Sequence, residues 1–133
     1  MKKYFVFCVL FVMIFASISF ADNTDIHSAK SLVSEVDKNQ MRFDKNYKGK
    51  RILVEGFVGK IEAKGSDYTL SLFGEAVITN PFRYIECHFN ADAEDSLLEL
   101  NKGDSVKIEG LYNGKENFQI GSLVLLNCSV KKD

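Results

Sequence analysis

The sequence has no excess of basic residues and almost no proline. It contains 17 Lys and Arg against 18 Asp and Glu, so the net charge is −1. Proteins dedicated to nucleic acid usually carry a basic excess, and this balance argues against nucleic acid as the partner. The only proline, Pro81, interrupts any hydrogen-bond ladder in the irregular stretch Gly74–Phe82.

The sequence also lacks the common catalytic and cofactor motifs. It contains no Gly-x-Ser-x-Gly, no glycine-rich loop for a phosphate and no Cys-x-x-Cys. The two histidines, His27 and His88, lie far apart, and neither is spaced from a cysteine or a carboxylate as metal ligands are. We therefore predict that the protein is not an enzyme and that it holds no metal and no cofactor.

One long apolar run is present, at the start of the chain. Two lysines precede the charge-free run Tyr4–Phe15, and Ser19 and Ala21 place small residues at the positions that signal peptidase reads. The run is short for a membrane span, and Asp22 stands where a lipoprotein would carry cysteine. We predict a signal peptide over residues 1–21, cleavage near Ala21 and a periplasmic or secreted protein without a membrane anchor.

The predicted mature chain, Asp22–Asp133, is long enough for one well-formed core. Without the two leading lysines it has 15 basic and 18 acidic residues, a net charge of −3. Two cysteines remain, Cys87 and Cys128. An even cysteine count in an exported protein favours a disulfide.

Two patterns precede the first predicted strand. In Asp22–Asn39 the apolar residues recur at spacings of three and four, which predicts an amphipathic helix that Thr24 or Asp25 could cap. Asn39–Lys50 is interpreted as a helical turn and a loop anchored by its apolar residues (Met41, Phe43 and Tyr47). The alternative is that its basic residues form a recognition loop.

Five later segments alternate with a period of two, which predicts strands. They are Lys48–Ile61, Tyr68–Phe73, Arg83–Asn90, Ser105–Tyr112 and Ile120–Lys131. Two glycines in the first segment allow a long strand to bend or bulge. Ala91–Leu100 changes to a helical period between the third and fourth strands. This order of elements is that of the OB-fold, a five-stranded Greek-key barrel with flanking helices. We predict that the barrel spans residues 48–133 and that an N-terminal helix and loop at residues 22–47 precede it.

The strand pattern also bears on the two cysteines. In the OB-fold the last strand pairs with the third, so Cys87 and Cys128 should lie on neighbouring strands. Both fall on the predicted inward phase, Cys128 together with Val124, Leu126 and Val130. We therefore predict a Cys87–Cys128 disulfide.

Several short motifs carry a family resemblance. They are Tyr47-Lys48-Gly49-Lys50 running into Ile52–Val58, Ile85–Phe89, Leu100–Gly110 and Leu123–Cys128. With the leading helix they make the chain resemble the exported bacterial OB-fold proteins of the tRNA-anticodon-domain-like (tRNA_anti-like) family. The resemblance implies the fold and a periplasmic or lipoprotein-type setting. It implies no transfer-RNA activity and no particular substrate.

OB-folds bind ligands on their second and third strands, between the loops that join strands one and two and strands four and five. The candidate ligand-binding residues on that logic are Phe73, Arg83, Tyr84, Glu86, His88, Lys115 and Phe118. The aromatic members would offer stacking surfaces. The alternatives are that these aromatics pack beneath the loops, that His88 is a surface histidine, or that the N-terminal helix covers the face.

Two functions of different classes follow. The first is a binding module that recognises an envelope ligand on the second and third strands, with Tyr84, His88 and Phe118 exposed and close together. The second is a protein-interaction or inhibitory module that acts through a barrel edge or through an exposed apolar stripe on the helix (Ile26, Leu32, Val33 and Val36). No sequence pattern specifies the ligand or an oligomeric state.

Overall fold

The computed structural model describes residues 25–114 and 122–132, so the predicted signal peptide lies outside the described residues. The strands are β1 (Ile26–Ser28), β2 (Lys50–Lys64), β3 (Asp67–Phe73), β4 (Tyr84–Phe89), β5 (Ser105–Tyr112) and β6 (Ser122–Lys131). The helices are α1 (Ala29–Lys38), α2 (Gln40–Tyr47) and α3 (Glu94–Leu98), with a 3₁₀ turn at Ala91–Ala93.

The strands β2 to β6 close into a barrel. The sheet order is β1-β2-β3-β4-β6-β5, and β5 pairs back with β2. All the barrel pairings are antiparallel except β4 with β6, which is parallel. With α3 between β4 and β5, this arrangement confirms the predicted OB-fold barrel with flanking helices.

The length of β2 allows it to pair with three strands, and two glycines give it the necessary shape. A Cβ atom at Gly56 would lie 2.8 Å from both Leu72 Cγ and the Phe73 carbonyl oxygen. At Gly59 it would lie 2.2 Å from the Phe73 ring. The β2–β3 register shifts between Val58 and Ile61, around Gly59. The predicted use of glycine for a bulge is confirmed at Gly59, and Gly56 in addition permits a close approach of β3 and α1.

The helix α1 starts later than the sequence pattern predicted. Ile26–Ser28 are extended because they pair in parallel with Leu53–Glu55 of β2. Ser28 then caps the helix, and its Oγ accepts a hydrogen bond from the Ser31 N–H at 3.1 Å. The predicted caps, Thr24 and Asp25, were therefore wrong. The buried side chains of α1, Ala29 and Leu32, join the barrel core.

The segment after α1, predicted as a helical turn followed by a loop, forms the two-turn helix α2. Asn39 caps it, because its side-chain oxygen accepts a hydrogen bond from the Arg42 N–H at 3.0 Å. Phe43 is buried against Tyr112, with 5.0 Å between ring centroids, and it also contacts Tyr47. Met41 was expected to be an anchor as well, but it is 84% exposed. An eight-residue helix with one strongly buried side chain gives little periodicity to detect.

A hydrogen bond links α2 to the end of β5. The Tyr112 hydroxyl donates to Asp44, while the rest of the Tyr112 side chain is fully buried. Burial raises the pKa of Tyr112 above its ordinary value of 10.0, and the hydrogen bond to Asp44 raises this pKa further. The pair therefore joins α2 to the barrel at a partly buried point.

The two cysteines lie on neighbouring strands, as predicted, since β4 pairs with β6. Both are buried, and both are free thiols in this structure rather than the predicted disulfide. A hydrogen bond to Cys128, together with burial, raises the pKa of the Cys87 thiol well above its ordinary value. The Cys128 thiol also donates to the Leu125 carbonyl oxygen at 3.4 Å.

The inward phase of β6 differs from the prediction. Leu123 and Leu125 lie in the core cluster with Cys128, whereas Val124 and Leu126 do not. Asn127 has a positive φ of 48°, and the β5–β6 register shifts between Glu109 and Leu111. An irregularity of this kind changes the side on which later side chains point. The alternation in β6 therefore reverses its phase before Cys128.

Candidate ligand-binding face

The outward residues of β3, β4 and β6 form the candidate face. Thr69 lies opposite His88, and Ser71 lies opposite Glu86 across the antiparallel β3–β4 pair. Glu86 is also opposite Val124 of β6. Directly paired residues point to the same side of a sheet, so three neighbouring strands contribute to one surface. The alternate residues of these strands, such as Leu70 and Cys87, are buried in the core.

Glu86 and His88 are two residues apart on β4 and contact each other. His88 Nε2 lies 3.4 Å from Glu86 Oε1. The Glu86 side chain is only 13% exposed and that of His88 is 32% exposed. Glu86 Oε2 and His88 Nε2 are both shielded from solvent, and neither has a hydrogen-bond partner. A polar outward face with unsatisfied acceptors or donors is costly unless something else satisfies it.

A cavity of about 420 Å³ opens beside His88. It lies between the β2–β3 turn, the adjoining ends of β3 and β4, and the irregular part of β6. Its lining residues are Lys64, Asp67, Tyr68, Thr69, His88, Phe89, Asn90, Leu126 and Asn127. No residue of α1 contributes to it, so the N-terminal helix does not form a wall of this cavity.

The other predicted site residues lie in different surroundings. Phe73 is only 8% exposed, and its ring packs at Gly59 and 5.4 Å from the ring of Tyr84. Arg83 pairs with Asp37 of α1 and lines a separate cavity of about 280 Å³. Tyr84 shares the outward phase of β4 with Glu86 and His88. Lys115 and Phe118 lie outside the described residues.

The separate cavity lies between α1 and the segment that joins β3 to β4. Phe73, Val77 and Ile78 supply apolar walls, and two exposed ion pairs, Lys30–Glu75 and Arg83–Asp37, border it. Each of its basic side chains already has a carboxylate partner. The cavity beside His88 differs because one of its lining residues, His88, has a shielded ring nitrogen without a hydrogen-bond partner.

The cavity beside His88 contains residues that sequence reasoning missed, namely Asn90, Leu126 and Asn127. Leu126 was predicted to point inward, and the phase reversal at Asn127 places it outward. One signal was available in the sequence. Asn tolerates the left-handed backbone conformation better than most residues, so Asn127 in the middle of a predicted strand could have indicated a bulge.

The described residues contain no cluster of three or more His, Cys, Asp or Glu side chains that could hold a metal ion. Within the same ranges, no helix is long and apolar enough to cross a membrane. The charged and polar groups on and beside the candidate face include the carboxylates of Glu86 and Asp67, the Lys64 ammonium, the His88 imidazole, and hydroxyl and amide groups.

The family model named tRNA_anti-like matches residues 1–130. The chain belongs to the tRNA_anti-like family. This assignment agrees with the closed barrel and with the resemblance seen in the motifs. No curated protein gives a significant match.

Solved structures that share the fold of this tRNA_anti-like protein include the following two. One is a lipoprotein of Klebsiella pneumoniae, provisionally described as nucleic acid-binding, with 18% identity and a TM-score of 0.68. That alignment covers 82% of this chain and 92% of the lipoprotein. The other is a provisionally described aspartyl-tRNA synthetase of Leishmania major, with 12% identity, a TM-score of 0.53 and coverage of 82% of this chain. The alignment covers only 21% of the synthetase, so the similarity concerns one domain of that enzyme.

Proposed function

We propose that this protein is an exported, non-enzymatic binding module of the cell envelope that takes its ligand on the outward face of β3, β4 and β6. The observation that carries the proposal is the pair of unsatisfied atoms, Glu86 Oε2 and His88 Nε2. A shielded polar group without a partner costs about 1–3 kcal/mol. A ligand that supplies the missing hydrogen bonds would recover this energy on binding.

The position of the pair supports the same function. The β3 and β4 strands are those through which OB-folds usually bind ligands. The cavity beside His88 gives a small group room next to the strands, and Thr69 contributes its hydroxyl there. The candidate site is thus formed by Thr69, Glu86 and His88, with Tyr84 further along β4.

Nucleic acid is the competing ligand class. The Klebsiella lipoprotein is described as nucleic acid-binding, but at 18% identity the likeness extends to the fold alone. In this chain Arg51 and Lys131 both pair with Glu109, at 2.8 and 3.0 Å. Lys60, Lys132 and Arg83 also pair with carboxylates. Since these cations are partly neutralised, the described surface favours a ligand other than a polyphosphate chain.

A protein-interaction module acting through the helix is less well supported. Leu32 of the predicted stripe is 0% exposed, and Val33 and Val36 pack partly against the core. Only Ile26 of the four residues is well exposed. The apolar side of α1 therefore holds the helix on the barrel and is not free for a partner.

An amide-shift NMR titration of the mature chain tests the binding module. The panel consists of cell-wall glycan fragments, small organic cations, small dicarboxylates and short single-stranded oligonucleotides. We expect at least one class to shift the amides of Thr69–Ser71 and Glu86–His88. If no class moves these amides, the proposed function is wrong.

The His88→Ala variant adds a residue-level test. It should weaken binding, whereas Lys30→Ala, at the separate cavity beside α1, should leave binding unchanged. Equal effects of the two substitutions would place the ligand elsewhere.

A further inference from the structure

The unsatisfied carboxylate oxygen on the candidate face also restricts the ligand class. Glu86 Oε1 faces His88 Nε2 at 3.4 Å, but Oε2 has no hydrogen-bond partner. The other glutamates in ion pairs are bonded to lysine or arginine on the surface, as in Arg51–Glu109 and Lys60–Glu62. Glu86 thus differs from them in having a shielded acceptor and no lysine or arginine partner, its basic neighbour being the imidazole of His88.

The groups around Glu86 are mostly hydrogen-bond acceptors or neutral groups. Ser71 lies directly opposite it on β3, and Thr69 lies opposite His88. Hydroxyl oxygens accept hydrogen bonds as readily as they donate them. On the other side of Glu86 lies Val124, which is apolar and buried. An anion bound next to Glu86 would face its carboxylate, and like charges in a shielded site repel strongly.

The lining of the adjoining cavity agrees with this preference. Its charged side chains include one lysine and one aspartate, Lys64 and Asp67, at the ends of β2 and β3 that flank the connecting turn. Tyr68 also lines the cavity, and aromatic rings attract cations. The cavity of about 420 Å³ is large enough for a small organic group but offers no cluster of basic side chains for a phosphate.

We propose that this face selects a ligand that carries an organic cation, an ammonium or guanidinium group, and that Glu86 Oε2 accepts its hydrogen bonds. Thr69 and Ser71 would supply further acceptors from β3. The inference rests on the proposed function, because it assumes that the ligand binds on this face. It goes further by assigning the charge of the ligand and by making Glu86 the residue that determines specificity.

Three small probes of similar length test the inference on the mature chain. They are agmatine, which carries both kinds of cation, the neutral 1,4-butanediol and the anion succinate. We expect agmatine to shift the amides of Thr69, Glu86 and His88, and the other two probes to leave them in place. This titration uses the unmodified protein, so it decides the inference even if a variant fails to fold.

The Glu86→Gln variant then tests the role of the charge. Losing one charge-assisted hydrogen bond should weaken agmatine binding at least about tenfold by calorimetry. Glu75→Gln makes the same change in net charge at an exposed ion pair with Lys30, beside the separate cavity, and it should change the affinity by less than about twofold. Equal effects of the two variants, or tighter binding by Glu86→Gln, would overturn the inference.

The failures of the two proposals are distinguishable. If succinate or an oligonucleotide shifts Thr69, Glu86 and His88 while agmatine does not, the face binds a ligand of another class. In that case the cation inference is overturned and the proposed function stands. If no glycan, cation, anion or oligonucleotide moves these amides, both proposals are wrong.

Discussion

At the residue scale, Glu86 is expected to lower the stability of the free protein. Its Oε2 atom is shielded and has no partner, which costs more for a charged group than for a neutral one. We expect Glu86→Gln to raise the free energy of unfolding by about 1 kcal/mol, as measured by urea denaturation. Binding-site residues often carry such a cost. A loss of stability in Glu86→Gln would instead assign the carboxylate a structural role.

Gly56 is a residue at which added volume should be harmful. A Cβ atom there would lie 2.8 Å from a backbone oxygen of β3 and 3.0 Å from the Cβ of Ala29. We expect Gly56→Ala to lower the free energy of unfolding by about 2 kcal/mol, because the core is already filled. Gly65→Asn is the control, since Gly65 has open space and a positive φ that Asn tolerates. Similar effects of both substitutions would contradict the close approach of α1 to β2.

At the element scale, a disulfide between Cys87 and Cys128 would join β4 to β6. The two thiols are neighbours, and export to an oxidising compartment would favour a bond between them. We expect the exported protein to have an intact mass about 2 Da below that of the dithiol. Reduction should then lower the free energy of unfolding by about 3–4 kcal/mol on the loop-entropy model. The Cys87→Ala, Cys128→Ala double variant should not respond to reductant, and an unshifted mass of the exported protein would contradict the disulfide.

The junction of α2 with β5 should make stability depend on alkaline pH. The folded-state pKa of Tyr112 is raised above its ordinary value of 10.0, so its contribution is complete below pH 10. Above that pH the unfolded chain loses the proton first, and the free energy of unfolding falls as pH rises toward the folded-state pKa. Tyr112→Phe removes this contribution. We expect the stability difference between the wild type and Tyr112→Phe to shrink from pH 9 to about pH 11, and a constant difference would contradict the raised pKa.

The elements that the sequence predicted well are those with a regular period. The alternation of apolar and polar residues located the ends of β2 to β5 to within a few residues. The order of these strands and of α3 was enough to identify the barrel. Predictions failed where long-range pairing decides the local structure. Ile26–Ser28 extend because β2 lies beside them, and no local pattern records that contact. In β6 every residue of the run Leu123–Leu126 is apolar, so the pattern does not say which alternate residues point inward. The irregularity at Asn127 determines this, and the sequence pattern did not predict it.

The candidate site was only partly predictable for the same reason. The alternation in β4 places Glu86 and His88 outward, and the fold places them on the usual binding face. The sequence does not reveal that Glu86 Oε2 lacks a partner, since this depends on which side chains three strands bring together. Nor does it reveal that Arg83 is occupied by Asp37, which is 46 residues away and on a helix.

At the scale of the whole molecule, the predicted export determines which chain folds. If the first 21 residues are a signal peptide, the envelope form begins at Asp22. We expect intact-mass analysis of the exported protein to give that N-terminus. An Ala21→Lys variant should be processed poorly, because the peptidase requires a small residue, and an Ala29→Ser control should be processed normally. Recovery of the full-length chain from the envelope would contradict the predicted cleavage.

The closure of the barrel by β6 has a consequence for the timing of folding. β6 is the last strand to be synthesised, yet it completes the sheet by pairing with β4 and β5. Until residues 122–131 are available, β4 and β5 each lack a neighbour, and non-local pairings of this kind form slowly. If the chain is exported while it is being synthesised, N-terminus first, its barrel can therefore close only after β6 has followed the other strands across the membrane.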